Sequence, residues 1–135
     1  MKIRKDILEQ MGSHAKKDAS IEACGYLASK DNVLSLAYEL TNIDRSFEHF
    51  SFDPKEQFFA LKDARNRGFE ITAVYHSHPA SPARPSPEDI RLSLDAQKLY
   101  IIISLLGGME NIRAFWIRSG QVTEEHLEVI YDNRV

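Results

Sequence analysis

Residues 69–79 read FEITAVYHSHP, and no other part of the chain restricts its fold as strongly. Residues 69–75 are mostly β-branched or aromatic, which favours a strand, and this strand runs directly into His76 and His78. Side chains two apart on a strand project from the same face, about 7 Å apart along it at ~3.3 Å per residue. Two imidazoles so placed can converge on one metal ion, although two surface histidines at a strand end would give the same pattern.

After seven intervening residues, the sequence Ser86-Pro87-Glu88-Asp89 predicts the start of a helix. Ser86 is typical of an N-cap and Pro87 of the first helical residue, and Asp89 falls where a carboxylate completes a capping box. The same carboxylate can act as a third metal ligand, and three protein ligands leave one position for water. Both roles of Asp89 stay open, since one of its two oxygens could accept the cap hydrogen bond while the other binds the metal.

Hydrophobic periodicity along the chain predicts an α/β fold in a single domain over residues 1–135, with helices packed against a mixed β-sheet. The predicted order is αββαβαβββ: a helix over 3–15, strands over 24–28 and 33–40, a helix over 54–67, a strand over 69–75, a helix from 86, and strands over 100–106, 112–118 and 121–131. In the second helix, Phe58, Leu61 and Ala64 are expected to face the core. Asp53 is expected to cap this helix and Gly68 to stop it.

Composition narrows the class of protein. The chain has 135 residues, 43% hydrophobic and 27% charged, with a net charge of −3, which argues against a nucleic-acid surface. One cysteine excludes an intrachain disulfide and a Cys-rich zinc site, and it suits a reducing cytoplasm. The N-terminus lacks the pattern of a signal peptide, and the longest apolar run, Tyr100–Leu106, is too short to cross a bilayer.

Several other residues of reactive or aromatic type are expected to have structural roles. Cys24 is interpreted as a small buried hydrophobe, and Ser77 as a residue that fixes the loop through hydrogen bonds. Trp116 and the aromatic cluster Phe47, Phe50, Phe52, Phe58 and Phe59 are expected to pack in the core. The remaining histidines, His14, His49 and His126, lack ligand spacing and are expected to be surface or hydrogen-bonded residues.

The motif positions taken together resemble the JAMM zinc metalloproteases, also called the MPN-plus family. The resemblance is carried by Glu22, by His76-Ser77-His78-Pro79 and by Ser86-Pro87-Glu88-Asp89 at the family's spacing. It extends to residues 22–27, which are similar to the family's Glu-containing first strand, and to residues 52–54 before the second helix. It covers nearly the whole chain and implies the MPN architecture, which is cytidine-deaminase-like.

The resemblance also implies a role for each motif residue. His76, His78 and Asp89 would bind one zinc ion per chain, Glu22 would be the general acid/base, and Ser86 would donate a hydrogen bond to the tetrahedral intermediate. These roles agree with what amide hydrolysis requires, namely an activated water, a proton relay and oxyanion stabilisation.

The substrate expected from the resemblance is a small ubiquitin-like sulfur-carrier protein, because the chain is close to the minimal prokaryotic domain. The implied reaction is peptidase or isopeptidase cleavage after the carrier's C-terminal Gly-Gly tail. A narrow groove beside a strand edge, walled by residues 79–85, could bind such a tail through main-chain hydrogen bonds. The sequence leaves open whether the protein forms a homo-oligomer.

The sequence also bears on other function classes. A non-catalytic MPN scaffold for protein association is the alternative, although such members usually lack the metal ligands that are present here. A zinc nucleoside deaminase requires Pro-Cys-x-x-Cys, which a single cysteine cannot supply. The zincin pattern His-Glu-x-x-His is also absent from the sequence.

Overall fold

The computed structural model describes residues 1–93 and 95–131. Its helices are α1 (Lys5–Lys17), α2 (Pro54–Asn66) and α3 (Pro87–Leu92), and its strands are β1 (Lys2–Arg4), β2 (Cys24–Lys30), β3 (Val33–Leu40), β4 (Glu70–His78), β5 (Leu99–Ser104), β6 (Asn111–Arg118), β7 (Gln121–Glu125) and β8 (Glu128–Ile130). A 3-10 turn, Leu106–Gly108, follows β5. The strands form one mixed sheet in the order β7-β6-β5-β4-β2-β3-β1-β8. In the described residues, no helix is long and apolar enough to span a membrane.

The histidine-bearing strand β4 lies in the interior of this sheet. It pairs antiparallel with β2 and parallel with β5, so that His76 stands between Cys24 and Ile102. The Ser77 N–H extends the pairing by donating to the Ala23 carbonyl at 2.9 Å. Both edges of β4 are therefore paired as far as Ser77.

The two faces of the sheet carry separate cores. Helix α1 covers one face, where its apolar side chains pack with β4 residues Ala73 and Tyr75. Helix α2 covers the other, where Ala60 and Ala64 pack with Val74. Because side chains alternate along a strand, the even-numbered His76 and His78 share the α2 face with Val74.

The nine predicted elements occur in the predicted order, and two short strands add to it. Ile3, expected in the first helix, lies in β1, which pairs in parallel with β3. The stretch predicted as one strand over 121–131 is divided into β7 and β8, which take opposite ends of the strand order. The sheet curls enough to bring these ends together, since the N-terminal ammonium of Met1 donates to Glu125 Oε2 at 2.9 Å.

Helix α2 begins as the sequence predicts but turns a different face to the core. Asp53 accepts a hydrogen bond from the Lys55 N–H at 2.9 Å, and Pro54 is the first helical residue. The expectation for Phe58 and Leu61 is wrong, since they are 68% and 41% exposed. The buried side chains are the two alanines, whose small size lets the helix lie close to the sheet.

The aromatic cluster expected in the core is divided in the same way. Phe50 and Phe52 are partly buried against the α2-side core. The prediction is wrong for Phe47 and Phe59, which like Phe58 are exposed. Trp116 packs partly buried against the core on the α1 side.

Candidate metal centre

Two imidazoles and one carboxylate meet where β4 ends and α3 begins. The Nε2 atoms of His76 and His78 lie 3.1 Å apart, and Asp89 Oδ2 lies 3.2 Å from the first and 3.1 Å from the second. A tetrahedral ion with bonds of about 2.0–2.1 Å has ligand atoms about 3.3 Å apart. The three atoms therefore have the spacing of one face of a tetrahedral coordination sphere, and their donor set suits a divalent metal ion.

The electrostatics at this point favour a positive charge. His78 Nδ1 lies 2.8 Å from the Pro82 carbonyl, which can only accept, so Nδ1 carries the hydrogen and Nε2 faces Asp89. Burial would raise the pKa of the Asp89 carboxyl, but hydrogen bonds from His76, His78 and the Ser86 N–H outweigh it and hold that pKa well below its usual range. Burial alone would lower the pKa of His78, yet its bonds to Asp89 and Pro82 raise that pKa on balance.

Asp89 forms the predicted capping box and also faces the two imidazoles. The Ser86 N–H donates to Asp89 Oδ2 at 2.9 Å, and the Asp89 N–H donates to Ser86 Oγ at 3.0 Å, which forms the predicted capping box. The oxygen that accepts the cap hydrogen bond is the same one that faces the imidazoles. Ser86 uses its hydroxyl only as an acceptor toward the described residues, so its O–H remains free to donate.

Glu22 lies beside the histidines, after α1 and before β2. It is 3% exposed, and one carboxylate oxygen lies within 4.8 Å of ring nitrogens of both His76 and His78. Its Oε1 is buried without a hydrogen-bond partner among the described residues. Burial, with smaller contributions from Asp89 and other carboxylates, raises the pKa of Glu22 to about 8. Burial therefore makes this carboxylate easier to protonate than an exposed one.

The segment between β3 and α2, predicted only as loop, is organised by Asn42. The Asn42 side chain is buried and donates to the carbonyls of Glu22, at 3.0 Å, and His49, at 2.9 Å. Its Oδ1 accepts from the N–H groups of Asp44 and Ser51. One amide thus ties the backbone of Glu22 to this loop.

The same loop places Phe50 over His76. Its ring stacks on that of His76, with centroids 4.8 Å apart and an angle of 28° between planes. Nothing in the local sequence marks Phe50 or Asn42 for these roles, since both depend on contacts with segments distant in the chain. The ring nitrogen Nδ1 of His76 is buried without a hydrogen-bond partner among the described residues.

The other residues singled out in the sequence lie elsewhere. His14 is buried on the α1 face, where its Nδ1 lies 2.7 Å from the Tyr75 hydroxyl. His49 is exposed and bonds Asp44, and His126 is exposed. Cys24 is buried as predicted, and burial raises the pKa of its thiol to about 12. Ser77 Oγ accepts from the Ala23 N–H at 2.8 Å, in keeping with its predicted fixing role.

Comparison with known sequences agrees with this geometry. The sequence profile of a family described as prokaryotic homologs of the JAB domain matches residues 4–118. Fold and cluster together define a metal-dependent hydrolase of the JAMM/MPN class. The chain belongs to the prokaryotic JAB-domain family.

Named relatives are similar in sequence to this chain over most of its length. A CysO-cysteine peptidase of Mycobacterium tuberculosis is 30% identical over 131 residues, which cover 95% of this chain and 90% of the relative. A probable TtuB-protein conjugate cleaving protease of Thermus thermophilus is 30% identical over 120 residues, or 88% of this chain and 77% of the relative. The solution structure of protein DSY2949 from Desulfitobacterium hafniense has a TM-score of 0.86 and 40% identity, covering 100% of this chain and 95% of that one.

Proposed function

We propose that this protein is a zinc-dependent peptidase or isopeptidase that hydrolyses the amide bond after the C-terminal Gly-Gly of a small ubiquitin-like sulfur-carrier protein. The observation that carries the proposal is the mutual spacing of 3.1–3.2 Å among His76 Nε2, His78 Nε2 and Asp89 Oδ2. With both Nε2 atoms unprotonated, the three atoms present lone pairs at the spacing that the ligands of one divalent cation would have.

In this proposal His76, His78 and Asp89 hold one zinc ion per chain. Asp89 is a better third ligand than Glu22, because its Oδ2 lies close to both imidazole nitrogens while Glu22 is only within 4.8 Å. When bound, zinc would lower the pKa of a water molecule from about 15.7 toward about 7 and polarise a carbonyl oxygen. The contact of Asp89 with the Ser86 N–H and of His78 with Pro82 would keep two of these ligands oriented.

Glu22 is the proposed general acid/base. Its unpartnered Oε1 can accept a proton from the attacking water and give it to the departing amine. Ser86 is the proposed donor to the oxyanion, since its capping contact uses only an acceptor lone pair. Glu22 lies beside the imidazole pair, and Ser86 contacts the Asp89 carboxylate that faces it.

The substrate part of the proposal rests on relatives and on access. One relative is named for CysO-cysteine and another for TtuB-protein conjugates. Glu22, His76 and His78 are each at most 4% exposed, so little of their surface is open to a bulky peptide. A tail ending in two glycines, which carry no side chains, is the kind of peptide that can reach such a site. We place this reaction in the cytoplasm, where the single buried Cys24 stays reduced.

The test of Glu22 is the cleavage rate of a purified carrier extended beyond its Gly-Gly. Glu22→Gln should lower kcat by about 100- to 10,000-fold, because it removes the proton relay. Zinc content should stay at one ion per chain, and the exposed Glu128→Gln should behave as wild type. Chelation should abolish cleavage and zinc should restore it. Cleavage that persists without metal would contradict the proposal, and a protein that binds no zinc and cleaves no adduct would favour the scaffold alternative.

Ser86 needs a control for its capping role. Ser86→Ala should lower kcat by about 100-fold through the lost oxyanion donor. It should also cost about 1 kcal/mol of stability through the lost cap. Asp53→Ala removes the cap of α2 without touching the site, so it should give a similar stability loss with kcat near wild type. Equal kcat values in the two variants would limit Ser86 to capping.

A further inference from the structure

A cavity of about 320 Å³ opens on the α2 side of the sheet, directly beside His76 and Asp89. Most of the surface of its other walls is apolar and comes from Tyr26, Phe50, Phe52, Val74, Leu92 and Tyr100. Polar and charged residues complete the lining: His49, Ser51, Gln57, Glu88, Ser93, Asp95 and Lys98. Phe50, which stacks on the His76 ring, is a wall shared by the cavity and the metal centre. The cavity is thus continuous with the proposed reaction site.

The two tyrosine hydroxyls in these walls are already engaged by the protein. Tyr26 OH accepts a hydrogen bond from Gln57 Nε2 at 2.9 Å. Tyr100 OH contacts both the N–H and the carbonyl of Asp95 at 3.2 Å. The Lys98 ammonium at the cavity also has a partner, since it lies 3.2 Å from Asp95 Oδ2. Because these three groups are engaged and most of the wall surface is apolar, the cavity favours an apolar occupant over a polar one.

Leu92 supports the same conclusion. Leu92 lines the cavity from α3, yet 51% of its surface is exposed to solvent. An apolar side chain entering from the metal centre would cover part of this surface and gain the free energy of its removal from water.

The identity of the occupant follows from its distance to the scissile bond, and this step rests on the proposed function. Two of the three proposed ligands line the cavity, so the occupant must be attached very close to the reacting carbonyl. On the carrier side the last two residues are glycines without side chains. We infer that the cavity receives an apolar side chain of the residue released by cleavage, and that it selects for leaving residues larger than cysteine.

The inference is tested by kcat/KM for a purified carrier extended after Gly-Gly by glycine, cysteine, leucine or phenylalanine. We expect a rise of at least about tenfold from glycine to leucine or phenylalanine, with cysteine between them, since one methylene in an apolar pocket is worth about 10- to 200-fold. A parallel pair of carriers, with alanine or leucine before Gly-Gly and glycine as the leaving residue, should differ by less than about twofold.

Variants in the cavity should change this ratio. Val74→Phe fills the cavity and should bring the leucine-to-glycine ratio toward one, whereas Val122→Phe on the outer strand β7 should keep the wild-type ratio. Leu92→Ser, at a position that is 51% exposed, should lower the ratio severalfold even if Val74→Phe fails to fold.

The possible outcomes distinguish a failure of this inference from a failure of the proposed function. Equal rates for all four leaving residues, or rates that follow the residue before Gly-Gly, would overturn the inference and leave the proposed function intact. Failure to cleave every adduct would remove the proposed function and the inference with it.

Discussion

A buried cluster that contains histidine lies on each face of strand β4, and the polar atoms of the two clusters have different kinds of partner. On the α1 face, His14 Nδ1 lies 2.7 Å from the Tyr75 hydroxyl and His14 Nε2 lies 3.2 Å from Asp18 Oδ2. On the α2 face, the Nε2 atoms of His76 and His78 face each other at 3.1 Å. The first cluster pairs each ring nitrogen with a complementary group, while the second brings like groups together.

The difference separates a structural histidine from one prepared for a ligand. A buried ring whose two nitrogens are both hydrogen-bonded stabilises the fold, and neither nitrogen is available to a ligand. In the second cluster, buried polar atoms without partners remain at His76 Nδ1 and Glu22 Oε1 among the described residues. Such atoms cost stability, so their retention points to a function.

The largest expected effect comes from removing one imidazole of the open cluster. His78→Ala should lower cleavage by on the order of 1,000-fold or more, because the metal loses a ligand. The chelator-treated variant should also unfold at a lower urea concentration than chelator-treated wild type, because it loses the buried contacts of His78 with Asp89 and with the Pro82 carbonyl. Zinc content and urea unfolding check the two parts. A variant that keeps its zinc and its activity would remove the distinction between the clusters.

A smaller effect should follow from opening the closed cluster. Tyr75→Phe removes the partner of a buried nitrogen of His14, which should cost about 1–3 kcal/mol of unfolding free energy. Tyr38→Phe loses a hydroxyl bonded to Asp63 in a partly buried position where water can replace it, so its cost should be below about 1 kcal/mol. Cleavage by Tyr75→Phe should stay within about twofold of wild type. Slow cleavage with normal stability would instead place His14 in the reaction.

The smallest effect concerns pH. Burial lowers the pKa of His14 below its ordinary value of 6.5, against the opposing influence of Glu39 and Asp18. The unfolded chain therefore binds more protons at His14 than the native protein as pH falls through about 6.5, so this group contributes stability above that pH and loses it below. Urea unfolding of chelator-treated wild type and His14→Gln should show a loss between pH 7.5 and pH 5.5 that is smaller in the variant. Equal losses in both would contradict the assignment.

The sequence was sufficient where the signal is local. The strand of residues 69–75, the caps at Asp53 and Ser86, and the spacing from His76 to Asp89 each depend on neighbours within a few residues, and these elements formed as predicted. A period of two or of 3.6 residues also identifies the type of element without reference to the rest of the fold.

The predictions were wrong where contacts between segments distant in the chain determine the structure. The helical period of α2 allows several rotations, and the close approach of the helix to the sheet selected alanines over Phe58. The split between β7 and β8 depends on the curl that brings Met1 to Glu125, about which the sequence of either end says nothing. The contacts of Asn42 with Glu22 and of Phe50 with His76 also join separate segments, so no single stretch reveals them.

The most direct test of the coordination sphere is anomalous X-ray scattering at the zinc edge from crystals grown with zinc. The account predicts one peak per chain within about 2.0–2.2 Å of His76 Nε2, His78 Nε2 and Asp89 Oδ2. A site that stays empty in excess zinc, or a peak held by Glu22 while Asp89 turns away to its helix, would contradict it.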